Sequence, residues 1–149
     1  MKVKVNLEIE GRKDRIWEVI TDIEHSKDFI SGIQKIEILE RPSEGIIGLK
    51  WKETRRIYNQ QATEVMWITD AVQNKSYTTR AESHGSVYIS HFEIMDKGEK
   101  CLLEMSFEGQ PNSFFAKISS LIFGKMMMKS TEKALLKDLQ DIKTFVEES

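Results

Sequence analysis

FFAKISSLIFGKMMMKSTEKALLKDLQDIKTFVEE, residues 114–148, decides the fold. The run has no proline, and its only glycine is Gly124. Asn112 or Ser113 can cap it, directly after the breaker Gly109-Gln110-Pro111. One unbroken helix here would reach roughly 55 Å at about 1.5 Å per residue. Its two halves differ. Met128, Leu135, Leu139, Ile142 and Val146 form one apolar stripe with Glu, Lys and Asp opposite, as in an ordinary amphipathic helix. Phe114, Phe115, Ile118, Leu121, Ile122 and Met126 form a broader face about 90° away. The jump near Gly124 predicts a kink, or a helix that follows a twisted sheet. Lys117, Lys125 and Lys129 intersperse the first half, which could touch a membrane surface or a partner. A broad apolar stripe more often faces a core or a cavity.

Upstream, period-2 patterns dominate. Val3, Val5, Leu7 and Ile9 alternate with Lys4, Asn6, Glu8 and Glu10, a half-buried strand over 2–10 that Gly11 ends. The period then lengthens. Ile16, Val19, Ile20 and Ile23 predict a helix over 13–23 with Trp17 on its flank, and a short second helical piece follows over 27–30, closed by Gly32. Strands are predicted over 33–41, 47–56, 63–69, 75–83, 87–95 and 100–108. They are separated by the turn signals Pro42-Ser43-Glu44-Gly45, Asn59-Gln60, Gln73-Asn74, His84-Gly85 and Asp96-Lys97-Gly98. Short turns between consecutive strands mean an antiparallel meander.

Composition bounds what this architecture can do. The chain has 149 residues, enough for one domain with a real core, and no linker divides it. Its net charge of −2 comes from scattered charges, with no basic stripe for nucleic acid. No apolar run is long enough for a membrane span, so no stable membrane insertion is expected. The amino terminus starts directly on a strand pattern and lacks a signal peptide's apolar block. Cys101 is the only cysteine, so no internal disulfide can form. Together these favour the cytoplasm. They say nothing of the oligomeric state.

Several stretches resemble one superfamily. Ile16-Trp17 followed by Val19-Ile20-Thr21-Asp22-Ile23 is similar to its first helix, Gly48-Leu49-Lys50-Trp51 to its "G-x-x-W" strand, and Ile68-Thr69-Asp70 to a mid-sheet segment with an acid exchanged. Lys137-Asp138-Leu139 lies in a run similar to the one that ends its last helix. The whole chain thus resembles the START-like (SRPBCC, Bet v 1-like) superfamily, nearest its polyketide cyclase/dehydrase and lipid-transport branch. The resemblance implies a single α+β domain over 1–149 with the helix-grip fold. That is a seven-stranded curved antiparallel sheet around a long C-terminal helix, with two short helices after the first strand. It also implies a cavity between the sheet and the first half of the long helix. No catalytic residue is common to the superfamily, and none is carried over.

The apolar-rich strand faces supply the lining expected of such a cavity. Trp51, Met66, Ile68, Tyr77, Thr79, Tyr88, Ser90, Phe92, Leu103, Met105 and Phe107 are the candidates from the sheet, and Phe115, Ile118, Ile122 and Met126 from the helix. Strand 63–69 is apolar on both faces, and Met66 and Ile68 are taken as its inward pair; any one of the candidates could equally fill a core. Strict alternation from Trp51 also turns Glu53 and Arg55 inward. There they could pair with each other, or Arg55 could grip a ligand carboxylate; a bulge would return both to solvent.

His25, His84, His91 and Cys101 are too scattered for a zinc set, no nucleotide fingerprint is present, and no cofactor is expected. The function expected is binding or transport of a hydrophobic small molecule such as a lipid, quinone or polyketide. One alternative is a cyclase- or dehydratase-type enzyme, with Glu53, Arg55, Tyr77 and Tyr88 steering protons. Another is a protein-interaction module with a filled core.

Overall fold

The computed structural model of the chain describes the backbone of residues 2–57, 60–83, 85–111 and 114–149, and the side chains of 2–56, 61–83, 85–109 and 128–149. The first strand, β1 (Lys2–Glu10), leads into helix α1 (Lys13–Thr21) and a 3-10 helix (Ile23–Asp28). The meander follows as β2 (Ile33–Glu40), β3 (Lys50–Ile57), β4 (Gln60–Val72), β5 (Ser76–Ser83), β6 (Ser86–Asp96) and β7 (Lys100–Pro111). Helix α2 (Phe114–Glu148) ends the chain.

All seven strands form one antiparallel sheet in the order β1-β7-β6-β5-β4-β3-β2. The meander is therefore consecutive, and β1 closes beside β7 from Lys2↔Glu108 to Glu10↔Lys100. Register shifts bend two of the pairings. One lies between Ile68 and Asp70 in β4, and the others lie between Ile33 and Lys35 and between Ile38 and Glu40 in β2. An extra residue on one strand sharpens local twist, which curls the sheet around α2.

Several boundaries depart from the sequence expectation: α1 ends at Thr21 rather than at 23, and β4 spans Gln60–Val72 rather than 63–69. The second short helix is a 3-10 helix and starts at Ile23 rather than at 27. Strand β3 starts at Lys50, because the chain first turns through Gly48 at φ +93°, a conformation that side chains with a Cβ resist. Strand β7 runs on to Pro111. Among the described residues β1 reaches Glu108, and residues 109–111 pair with β6 alone, where the missing proline N–H breaks no second ladder.

The dense core sits at one end, between β1, β7, α1 and the last part of α2. Ile9, Ile16, Leu103, Cys101, Leu139 and Ile142 are all but fully buried there. Backbones approach so closely that a Cβ on Gly11 would lie 2.9 Å from Cγ1 of Val146. Polar contacts fix the same end of α2. Lys143 Nζ donates to the Glu8 carbonyl at 3.0 Å, Glu147 accepts from the Glu10 N–H at 2.9 Å, and Asp141 accepts from Ser31 N–H and O–H at 2.9 and 2.8 Å. Phe29 stacks on Phe145 with centroids 4.5 Å apart. The expected change of apolar face near Gly124 concerns side chains outside the described residues.

Leu139→Ala removes a side chain that is 0% exposed, and should lower unfolding free energy by about 2–5 kcal/mol in urea titration. Leu39→Ala, at a residue 44% exposed, should cost no more than about 0.5 kcal/mol in the same assay.

Candidate functional site

Moving away from that core, the concave face changes character. Register places Met66 beside Ala81 and Ala81 beside Tyr88, while Thr79 sits between Ile68 and Ser90. Small side chains thus occupy the middle of the curved face. Facing α2 across the sheet's concavity, they leave a hollow of about 690 Å³.

The expected residues Trp51, Glu53, Arg55, Met66, Tyr77, Thr79, Tyr88, Ser90, Phe92, Met105 and Phe107 all stand in its wall. Ile68 and Leu103 do not. They are 1% and 0% exposed, packed into the core and not onto open space. For Ile68 the reason is local: the loop ahead of β3 bonds to both its backbone groups, through Gly48 N–H to its carbonyl and its own N–H to Leu49 O. Phe115, Ile118, Ile122 and Met126 lie outside the described residues.

The hollow extends further along α2 than the two-halves reading allowed. Ser130, Thr131, Ala134, Leu135, Asp138 and Ile142 also line it, so the later half of the helix is wall as well as anchor. Val19, Ile20, Ile23 and residues 29–33 close the side next to α1.

Its aromatic wall is organised by contacts. Tyr77 meets Phe92 at 5.2 Å between centroids and Trp17 edge-on at 6.1 Å, and Tyr88 stacks on Phe107 at 5.6 Å. The Tyr77 hydroxyl donates to the Ile20 carbonyl at 2.9 Å. Burial pushes its phenol well above the ordinary value, and the charge of Glu53 adds to that.

One charged cluster interrupts the apolar wall. Arg55 donates from Nε to Glu53 Oε2 at 2.6 Å, and from Nη1 and Nη2 to the two oxygens of Asp138 at 3.1 and 2.8 Å. Trp51 Nε1 donates to the other Glu53 oxygen at 3.2 Å. The side chains of Glu53, Arg55 and Asp138 are 8%, 26% and 5% exposed. The open question about Glu53 and Arg55 is thereby answered: both turn inward and pair. Burial opposes the charge on Arg55, but Glu53 and Asp138 outweigh it and raise its pKa above the usual guanidinium value. Asp138 moves the other way from a typical ion-paired acid. Burial raises its pKa from 3.8, only partly offset by Arg55, and Glu53 adds to the rise. Gly32 leaves room for this pair, since a Cβ there would come within 3.4 Å of Arg55 Nη1.

Sequence reasoning missed Asp138 as a site residue. Its signal was an acid set among Ala134, Leu135, Leu139 and Ile142, on the helix's apolar stripe. The histidines stand apart from the hollow. His25 bonds to Asp22 at 2.8 Å, and His91 to Thr78 at 2.9 Å. His84 lies outside the described residues. Among the described residues no cluster of His, Cys, Asp or Glu could hold a metal, and no helix is long and apolar enough to cross a membrane.

Arg55→Met leaves two buried carboxylates without their cation, and should destabilise the protein by about 3–5 kcal/mol near neutral pH. The sign of its pH dependence follows from Asp138. An acid whose folded pKa is raised favours the folded state fully below its unfolded value of 3.8, and that favour is lost as pH rises through the folded value. Removing Arg55 raises it further. The deficit of Arg55→Met against the parent should therefore shrink as pH falls below neutral, read by urea unfolding across a pH series.

No protein-family model matches the sequence, and no curated protein matches it. Solved structures do match. A START superfamily protein from Mycobacterium smegmatis superposes with TM-score 0.81 at 18% identity, over 99% of this chain and 97% of that one. An aromatase/cyclase from Streptomyces sp. R1128 gives 0.82 at 14%, over 99% and 93%. Norcoclaurine synthase from Thalictrum flavum gives 0.72 at 18%, over 100% and 94%. At such identities the likeness is one of fold: a curved seven-stranded sheet closed on a C-terminal helix, the helix-grip fold of START superfamily proteins, aromatase/cyclases and Bet v 1-like proteins.

Proposed function

We propose that this protein binds a mostly apolar small molecule in the hollow between the sheet and α2, and carries it. The observation that supports this is the hollow itself. Its volume of about 690 Å³ lies within the usual range for small-molecule sites, and its wall is dominated by aromatic, aliphatic and methionine side chains. A void of that size is costly to leave in a core, because its lining forfeits dispersion contacts. Methionines 66 and 105 give part of the wall freedom to adapt.

A cyclase-type reaction is the competing reading, and the names of two structural neighbours keep it in view. The bonding pattern weighs against it. Of the four groups that could steer protons, Glu53 and Arg55 are bound to each other and Tyr77 donates to a backbone carbonyl. Only the Tyr88 hydroxyl is without a hydrogen bond among the described residues. Groups already committed to structural bonds serve a container better than a reaction.

Native mass spectrometry of freshly purified protein should show a bound mass that delipidation removes, and the stripped protein should melt higher when an apolar ligand is restored. Ser90→Trp fills the hollow from the middle of its wall and should weaken that binding by tenfold or more, while the protein still folds. A protein that carries nothing and is unmoved in melting temperature by lipids, quinones and aromatic polyketides would exclude the proposal.

A further inference from the structure

Strand β4 contributes one inward group that the bonding network does not use. Alternation along β4 puts Ala62, Glu64 and Met66 on the wall of the hollow, and Glu64 stands directly opposite Glu53 across the β3–β4 pair. Like charges in that position repel. Glu53 is held by Arg55 and Trp51. Among the described residues the Glu64 carboxylate has no hydrogen bond or ion pair. It is half-buried, on a wall that is otherwise mainly apolar.

The charge balance around it is one-sided. Among the described residues, Glu53, Glu64 and Asp138 line the hollow together, against one guanidinium that is not exposed, that of Arg55, whose Nε, Nη1 and Nη2 are all engaged. The other cations at the wall stand at its exposed rim. Lys137 is bonded to Asp141 at 2.6 Å, and Arg56 and Lys133 are exposed. Among the described residues, a carboxylate or phosphate on a ligand would find no uncommitted cation inside and would meet net negative charge. A donor would find an available carboxylate.

We infer that Glu64 receives the polar end of the bound molecule, and that this end is a hydrogen-bond donor, an ammonium or a hydroxyl, on an otherwise apolar body. The inference rests on the proposal that the hollow holds a ligand. It adds which chemistry that ligand carries and which residue selects it.

Three probes of one shape test it: naphthylethylamine, naphthylethanol and naphthylacetate, titrated calorimetrically into the full chain at neutral pH. The amine should bind about tenfold or more tightly than the carboxylate, with the alcohol between them. Glu64→Gln should weaken the amine about tenfold and the alcohol only a few-fold, while Glu64→Asp, which keeps the charge, retains the preference for the amine. The unliganded Glu64→Gln protein should melt no lower than the parent, because the repulsion with Glu53 is relieved. A merely structural role would shift that melting point and leave the ratio of amine to carboxylate affinity unchanged. An unchanged ratio, or tightest binding by the carboxylate, would overturn the assignment of Glu64 while leaving the hollow a binding site. Failure of all three to bind the parent would overturn both.

Discussion

Arg55 is where the sheet is tied to the helix inside the hollow. A guanidinium presents its donors in a flat fork. Here one edge takes both oxygens of Asp138 on α2, while Nε takes Glu53 on its own strand. Each partner would be costly to bury alone, and none of them is alone. Elsewhere α2 is held by packing against β1 and α1 and by contacts of Asp141, Lys143 and Glu147 with the chain's first third. Beyond Asp138, toward its start, the helix rides over the hollow. The Arg55–Asp138 pair therefore sits where the helix serves as anchor and wall at once, between Leu135 and Ile142.

That boundary follows from how side-chain size is distributed on the concave face. Toward β1 and β7 the inward positions are Val3, Val5, Ile9 and Leu103, which meet α1 and α2 and fill the space between. Toward the centre they are Ala62, Ala81, Thr79 and Ser90, too small to reach across. The same backbone curvature thus gives a packed end and an open end. The ring contacts among Trp17, Tyr77 and Phe92 seal one against the other, with the Tyr77–Ile20 hydrogen bond satisfying the phenol in that seal.

The strand and helix order was legible because period, turn residues and helix length each carry local information. Val3-to-Ile9 alternation, the Asp96-Lys97-Gly98 turn and the proline-free run to Glu148 are all read within a few residues. The inward orientation of Trp51, Tyr77, Tyr88 and Met105 followed from the same alternation. What local pattern could not supply was depth. Ile68 and Leu103 share inward parity with Met66 and Met105, yet lie in the packed core, because depth depends on which loop or helix arrives opposite. The Arg55–Asp138 pair spans 83 positions, so no local rule joins its members. Asp138 was visible only as an acid out of place on an apolar stripe.

The charges near the hollow argue about its contents as much as its construction. A buried ion pair contributes little net stability over a well-packed apolar replacement, so Glu53, Arg55 and Asp138 are poor value as cement alone. Their arrangement does achieve something packing could not: it engages the Arg55 guanidinium, leaves the interior acidic among the described residues, and ties α2 to the sheet beside the open space. A wall made this way is apolar to most of a ligand and acidic at one end. The polar cluster that looked like a candidate for catalysis is then better understood as the fixed background against which one free carboxylate, Glu64, can discriminate.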